Sequence, residues 1–167
     1  MRGVSLINSL QTSDSRGSFL KILKHEEILS VPDFALEEVF ITSSLKGTIR
    51  GMHLQIDEAA NWRFIQVLSG AAFDVLLDLR SSEQTFSQTQ TNLLSAGTPQ
   101  TLIVPPGVAH GFQAVTDVEI LYMTSHKYNA SLDKGVNPFS IGIDWPLEVT
   151  AISARDLAMP SLQDYKA

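Results

Sequence analysis

Two histidines stand close to glycine in apolar, strand-like sequence: His53 in RGMHLQ (residues 50–55) and His110 in PPGVAHGF (residues 105–112). A buried imidazole needs either a hydrogen-bond partner or a task, and its ordinary pKa suits it to moving protons near neutral pH. In a strand, His53 and Gln55 point to the same side. A metal would want several nitrogen and oxygen ligands converging there, with Glu58 and His110 as the only further candidates. Glutamine is a poor ligand, so the count argues against a metal, and no cofactor is expected. Proton chemistry fits better. Removing a proton alpha to a carbonyl and returning it on the other face takes a base, an acid and a cation or donor for the enolate oxygen. For these tasks the chain offers His53, His110, Tyr122 and Arg63.

The elements that must carry these residues are short β-rich runs between Leu36 and Tyr122: LEEVFITSSL, WRFIQVL, AAFDVLLDLR, QTLIVP and DVEILYMTS. Turn signals at Lys46-Gly47, Ser69-Gly70, Pro105-Pro106-Gly107 and Thr116-Asp117 separate them, as in an antiparallel barrel or sandwich. Phe73, Val75, Leu77 and Leu79 alternate with Asp74, Asp78 and Arg80, the period of a half-buried strand, although Leu76 on the polar side suggests that this face also meets protein. Short helical turns are predicted at HEEILS and SARDLAM. The fold class expected is mainly β, a jelly-roll barrel with appended ends, and the whole chain, 1–167, reads as one domain.

By alternation Arg63 shares a face with Ile65 and Val67, and Tyr122 with Ile120 and Thr124. A charge among such neighbours is costly unless it is paired or faces a polar cavity. Pattern alone therefore reads Arg63 as an outward surface residue and Tyr122 as a core aromatic whose hydroxyl meets solvent. His25 and His126 read as surface histidines, and Trp145 as a packing anchor.

A net charge of −6 with no basic stripe leaves no general attraction for nucleic acid, so an anionic ligand must be held by a few placed arginines. The absence of cysteine excludes disulfides, thiolate metal sites and cysteine nucleophiles. The start MRGVSLINSL lacks a secretory h-region, and Ala71–Leu79 is far short of a bilayer span. A soluble, cytoplasmic protein without a membrane partner is expected.

Taken in order, the motifs DSRGSFLKI, GTIRGMHLQ, VLSGAAFDVLLDLRSSEQTF, IVPPGVAHGF, EILYMTSHKY and IGIDWP followed by SARD resemble the dTDP-4-dehydrorhamnose 3,5-epimerase family over residues 12–156. The resemblance implies a metal-free cupin barrel acting on nucleotide-linked 4-keto-6-deoxy sugars, in making a bacterial surface glycan such as lipopolysaccharide or a glycosylated metabolite. It implies His53 as base, Asp156 as the aspartate that hydrogen-bonds it, Tyr122 as acid, and His110 in the same cavity with Tyr128 at a second position. Arg50 resembles the pyrophosphate-binding arginine, with Glu38 and Gln55 also on the substrate side. Arg16 and Phe19 resemble nucleotide contacts offered to the neighbouring subunit of a homodimer.

The chain departs from the family pattern at several of these positions. Arg63 stands where a lysine is common and follows the bulky Trp62, Glu38 replaces glutamine, Phe40 replaces asparagine, Lys21 replaces glutamate, and the loop before GIDWP is shorter. These departures bear on nucleotide and substrate. They keep two other readings open, a cupin that binds a nucleotide sugar without turning it over and an isomerase that moves the keto group.

Overall fold

Alternating apolar residues and frequent turns produce strands through most of the chain. The computed structural model describes residues 1–166. In chain order the strands are β1 (Ser5–Asn8), β2 (Leu10–Asp14), β3 (Gly17–Lys21), β4 (Glu38–Ser44), β5 (Ile49–Gln55), β6 (Arg63–Ser69), β7 (Ala71–Asp78), β8 (Thr89–Ser95), β9 (Gln100–Val104), β10 (Val108–Ala114), β11 (Val118–Thr124) and β12 (Asp133–Gly135). The two predicted helical turns are present as α1 (His25–Leu29) and α2 (Ala154–Leu157). One antiparallel sheet has the order β1-β9-β6-β11-β4, a second has β12-β5-β10-β7-β8, and β2 with β3 forms a separate hairpin.

The two sheets face each other across an apolar core. Ile65, Val67, Leu102 and Ile120 of the first meet Ala72, Leu76, Leu94, Val108 and Phe112 of the second. The C-terminal segment covers the outside of the second sheet, where Val136, Ile141 and the half-buried Trp145 pack with Phe73, Val75 and Leu77. Trp145 meets Phe73 edge-on, at a centroid distance of 6.1 Å, and donates from Nε1 to the Pro138 carbonyl at 3.2 Å. Trp145 is a packing anchor. His25 and His126 are exposed.

Because the C-terminal segment takes one face of β7 and the barrel interior takes the other, β7 is buried on both sides rather than half-buried. Its Asp74 and Asp78 are almost without solvent contact, at 1% and 0% exposure. Such burial is tolerable only with partners. Arg80 grips Asp78 through Nε at 2.8 Å and Nη2 at 2.6 Å, and the Thr85 hydroxyl adds a third bond.

The two histidine motifs meet where β5 and β10 pair. His110 lies opposite His53, and the register then shifts so that Phe112 lies opposite Arg50. The glycines beside the histidines make this approach possible. A Cβ on Gly51, whose φ is +113°, would fall 2.5 Å from Gly111 Cα, and one on Gly111 would fall 2.6 Å from Met52 Sδ and 2.8 Å from the Arg50 carbonyl. Neither position has room for a side chain. Gly51→Ala is expected to destabilise the fold by at least about 2 kcal/mol through overpacking and backbone strain, a fall in Tm of roughly 4–8 °C for a domain of this size. Gly97→Ala, whose Cβ would meet no atom nearer than 3.8 Å, should stay within about 0.5 kcal/mol. Thermal denaturation of the two variants followed by circular dichroism checks the contrast.

Candidate active site

Alternation on β4, β5, β6, β10 and β11 turns one face of each strand into the barrel, and near one end the core gives way to a cavity of about 800 Å³. From the second sheet, β5 supplies His53 and Gln55, and β10 supplies His110. The first sheet supplies Arg63 from β6, Tyr122 from β11, and Glu38, Phe40 and Thr42 from β4. Ionisable groups thus face each other from opposite walls.

Asp156 organises one wall. Ser153 caps α2 by accepting the Asp156 N–H at 3.0 Å, which fixes the short helix and its carboxylate. Asp156 Oδ1 accepts from His53 Nε2 at 2.8 Å, and Oδ2 accepts from the Gly51 N–H at 3.2 Å. Burial pushes this carboxyl up, but His53, by hydrogen bond and charge, together with Gly51 and Ser153, holds it below the ordinary carboxylate value. Asp156 is therefore ionised at neutral pH. An ionised carboxylate only accepts, so His53 Nε2 carries hydrogen, and in the neutral ring Nδ1 keeps the lone pair. That is the arrangement of an oriented base.

His110 is held the same way, its Nε2 lying 2.5 Å from Asp74 Oδ1, while Asn92 donates to Asp74 Oδ2 at 3.1 Å. Its ring stands edge-on to Tyr122 at 6.0 Å between centroids. Burial first, and the Asp74 charge second, push the Tyr122 phenol well above its ordinary pKa, against the influence of Thr42, Arg63 and Arg50. Tyr122 is a neutral O–H donor at any working pH.

Arg63 does not face outward, contrary to the reading from pattern alone. Its guanidinium crosses the interior, donating from Nη1 to the His53 carbonyl at 3.1 Å and from Nη2 to the Val108 carbonyl. Those carbonyls compensate part of its burial, which lowers its pKa to about 10 against the charges of Tyr122, Asp74 and Asp133. Arg63 remains cationic at neutral pH.

Arg50 donates to Ser44 Oγ at 2.8 Å and the Ser43 carbonyl at 3.3 Å, and among the described residues it pairs with no carboxylate. At the rim, Tyr128 donates its hydroxyl to Asp133 Oδ2 at 3.1 Å, and Arg155 reaches the same oxygen at 2.6 Å. Glu38 Oε2 accepts the Tyr128 N–H at 3.1 Å, and Gln55 Oε1 accepts the Asn129 N–H at 2.9 Å. Among the described residues Gln55 Nε2 and Arg63 Nε are buried without a hydrogen-bond partner, and both residues line this cavity. Unsatisfied polar atoms are costly to bury, so the cavity carries unspent bonding capacity. Among the described residues no three His, Asp or Glu side chains come together as a metal-ligand set.

Nine of the eleven residues singled out from the sequence line the cavity: His53, Gln55, Arg63, His110, Tyr122, Asp156, Glu38, Arg50 and Tyr128. Arg16 and Phe19 lie apart on the β2–β3 hairpin, where Arg16 pairs with Asp14 at 2.6 Å and Phe19 is 54% exposed. The sequence reading missed four residues of the site. Asp74 could have been found from AAFDVLLD, since it shares its face with Ala72 and Leu76, and Arg155 from its place beside Asp156. Thr42 and Asp133 carried no signal.

A two-sheet barrel with a carboxylate-held imidazole on one wall and a phenol on the other defines a cupin-type isomerase. The sequence profile described as dTDP-4-dehydrorhamnose 3,5-epimerase matches residues 1–164, and the chain belongs to that family. It is 36% identical over 139 residues to the dTDP-4-dehydrorhamnose 3,5-epimerase of Escherichia coli K12, covering 80% of this chain and 75% of that one. With the dTDP-4-dehydrorhamnose 3-epimerase of Streptomyces niveus it shares 29% identity, covering 93% and 78%. Among solved structures it is similar to NovW, a 4-keto-6-deoxy sugar epimerase from the novobiocin biosynthetic gene cluster of Streptomyces spheroides, with a TM-score of 0.93, 27% identity and coverage of 98% and 85%.

The lowered Asp156 pKa fixes the sign of a pH effect. A carboxyl depressed in the folded state stabilises it fully above the unfolded value of about 3.9 and loses that contribution as pH falls through the folded value. In Asp156→Asn, stability is expected to be lower at neutral pH and to fall less steeply below about pH 4, as read by urea denaturation across pH.

Proposed function

We propose that the protein inverts C3, C5 or both in a nucleotide-linked 4-keto-6-deoxy sugar, by taking a proton alpha to the ketone on one face and returning one on the other. The observation that carries this reading is that the His53–Asp156 pair and the Tyr122 phenol come from opposite sheets across one cavity. A 4-keto group acidifies both neighbouring C–H bonds, so no electron transfer is required. His53 is the base, oriented by Asp156, and Tyr122 donates from the far wall. Arg63 supplies the positive charge that stabilises the enolate, and His110 stands beside His53 on the wall of the base.

The substrate's diphosphate is assigned to Arg50, whose fork has no carboxylate partner among the described residues. Tyr128, Glu38 and Gln55 line the way in. Relatives include enzymes named as 3,5- and as 3-epimerases, so the family leaves both regiochemistries available. We also propose a homodimer in which Arg16 and Phe19 serve the partner's nucleotide site. The outward β4 side chains Val39 and Ile41 are both 56% exposed, which supports an apolar face covered by a second copy. No helix among the described residues is long and apolar enough to cross a membrane, and the reaction is assigned to the cytoplasm.

Proton NMR in D2O with dTDP-, UDP-, GDP- and CDP-linked 4-keto-6-deoxy sugars tests the chemistry, with deuterium expected at C3, C5 or both. No exchange into any of them by folded protein that binds one would favour the non-catalytic cupin. His53→Asn should reduce exchange by at least about 100-fold with nucleotide binding retained, whereas undiminished exchange removes the base assignment. Light scattering should give twice the chain mass. A monomer would count against Arg16 and Phe19 reaching a second subunit.

A further inference from the structure

Phe40 takes no part in the proton chemistry described above, yet it is the side chain most directly applied to the acid. On β4 and β11 Phe40 and Tyr122 are register partners. Residues directly opposite in an antiparallel pair project to the same face, and here both line the cavity. Their rings lie nearly parallel, with planes 10° apart and centroids 5.0 Å apart. Tyr122 is only 8% exposed, whereas Phe40, towards the mouth, is 43% exposed. Phe40 is therefore a cover laid over one face of the phenol, with the His110 ring standing edge-on to Tyr122 at 6.0 Å.

The rest of β4 sharpens the point. Val39 and Ile41 point outward, and Glu38, Phe40 and Thr42 all line the cavity. Thr42 lies opposite Ile120, two residues from Tyr122, and its buried hydroxyl sits beside the phenol. With Phe40 over one face and His110 at its side, the phenol cannot swing towards the mouth unless Phe40 moves.

We infer that Phe40 is a positioning residue that holds the Tyr122 phenol in the orientation from which a proton is returned to the far face of the sugar. The inference rests on the epimerase reading. It predicts a separation of two events that a merely structural residue would not produce. His53 can remove a proton and return it on the same face, so exchange with solvent needs only one wall. Inversion needs both. Loosening the phenol lowers inversion relative to exchange, because donors displaced by about 1 Å lose up to about 100-fold in rate.

The experiment is to follow deuterium incorporation and stereochemical inversion in the same D2O reaction, using whichever of the four nucleotide-linked 4-keto sugars the wild type turns over. Phe40→Leu removes the flat stacking surface, and Phe40→Tyr preserves it. In Phe40→Leu inversion is expected to fall about 10-fold or more while exchange falls less than about 3-fold, and in Phe40→Tyr the ratio of the two should return to within about 2-fold of wild type. In 13C-tyrosine-labelled protein, one of the three tyrosine ring signals of the wild type should carry an upfield ring-current shift that Phe40→Leu abolishes and that persists in Phe40→Tyr, whose added tyrosine gives a fourth signal. An unchanged ratio in a folded Phe40→Leu variant, or a parallel fall of both rates, overturns the inference while leaving the epimerase reading intact. A wild type that exchanges nothing overturns the epimerase reading and this inference with it. The absence of any stacked tyrosine signal in wild type overturns the inference alone.

Discussion

The cost of placing charge inside a barrel governs this structure. A carboxylate or guanidinium cannot leave water without partners, and this interior holds Asp74, Asp78, Asp156 and Arg63. Each is answered by specific groups: His110 and Asn92 for Asp74, Arg80 and Thr85 for Asp78, His53 and the Gly51 N–H for Asp156, and two strand carbonyls for Arg63. Those around Asp78 close a turn. The others converge on the cavity, so the pairings that make burial tolerable also fix the geometry of the proposed base and of the cation beside it.

The same requirement explains why glycine accompanies the histidines. Asp156, which arrives from the C-terminal segment, bonds both His53 Nε2 and the Gly51 N–H, so this point of β5 is held from one side by the carboxylate. For His110 to stand opposite His53, β10 must approach β5 so closely that neither Gly51 nor Gly111 can carry a Cβ. Two small residues thus decide where two imidazoles go. Arg63 then ties the first sheet to the second by bonding β5 and β10 carbonyls across the interior.

Much of this was legible in the sequence, and the parts that were not have physical reasons. The runs around Ile65, Val75, Leu102 and Ile120 announced strands because both alternation and turn punctuation were strong there. Strands β1 to β3, β8 and β12 escaped notice since they are short or polar, and β2 is exposed at every residue. Arg63 was misjudged by pattern because alternation gives the face but not what lies across from it. A charge among apolar neighbours looks like surface until the facing strand carbonyls are known. Asp74 was read correctly as opposite to the Phe73, Val75 and Leu77 face of β7, but it is the first sheet, packed against Ala72 and Leu76, that turns that polar side into the interior. Motif order supplied what periodicity could not, bringing Asp156 from more than a hundred residues away to His53.

The departures from the family pattern differ in what they can change. Arg63 keeps a positive charge at the base of the site but spends two of its five donors on strand carbonyls, so what it offers a substrate is chiefly its field. Glu38 and Phe40 act instead at the mouth. Glu38 puts a carboxylate beside Tyr128 in a cavity where Arg155 is already engaged by Asp133, so among the described residues Arg50 stands as the rim arginine with no acidic partner. A polyanionic substrate then depends on fewer cations from its own subunit than the number of arginines in the cavity would suggest. The homodimer proposed above would answer that shortfall only if Arg16, which pairs with Asp14 in this chain, exchanged that carboxylate for the substrate's diphosphate.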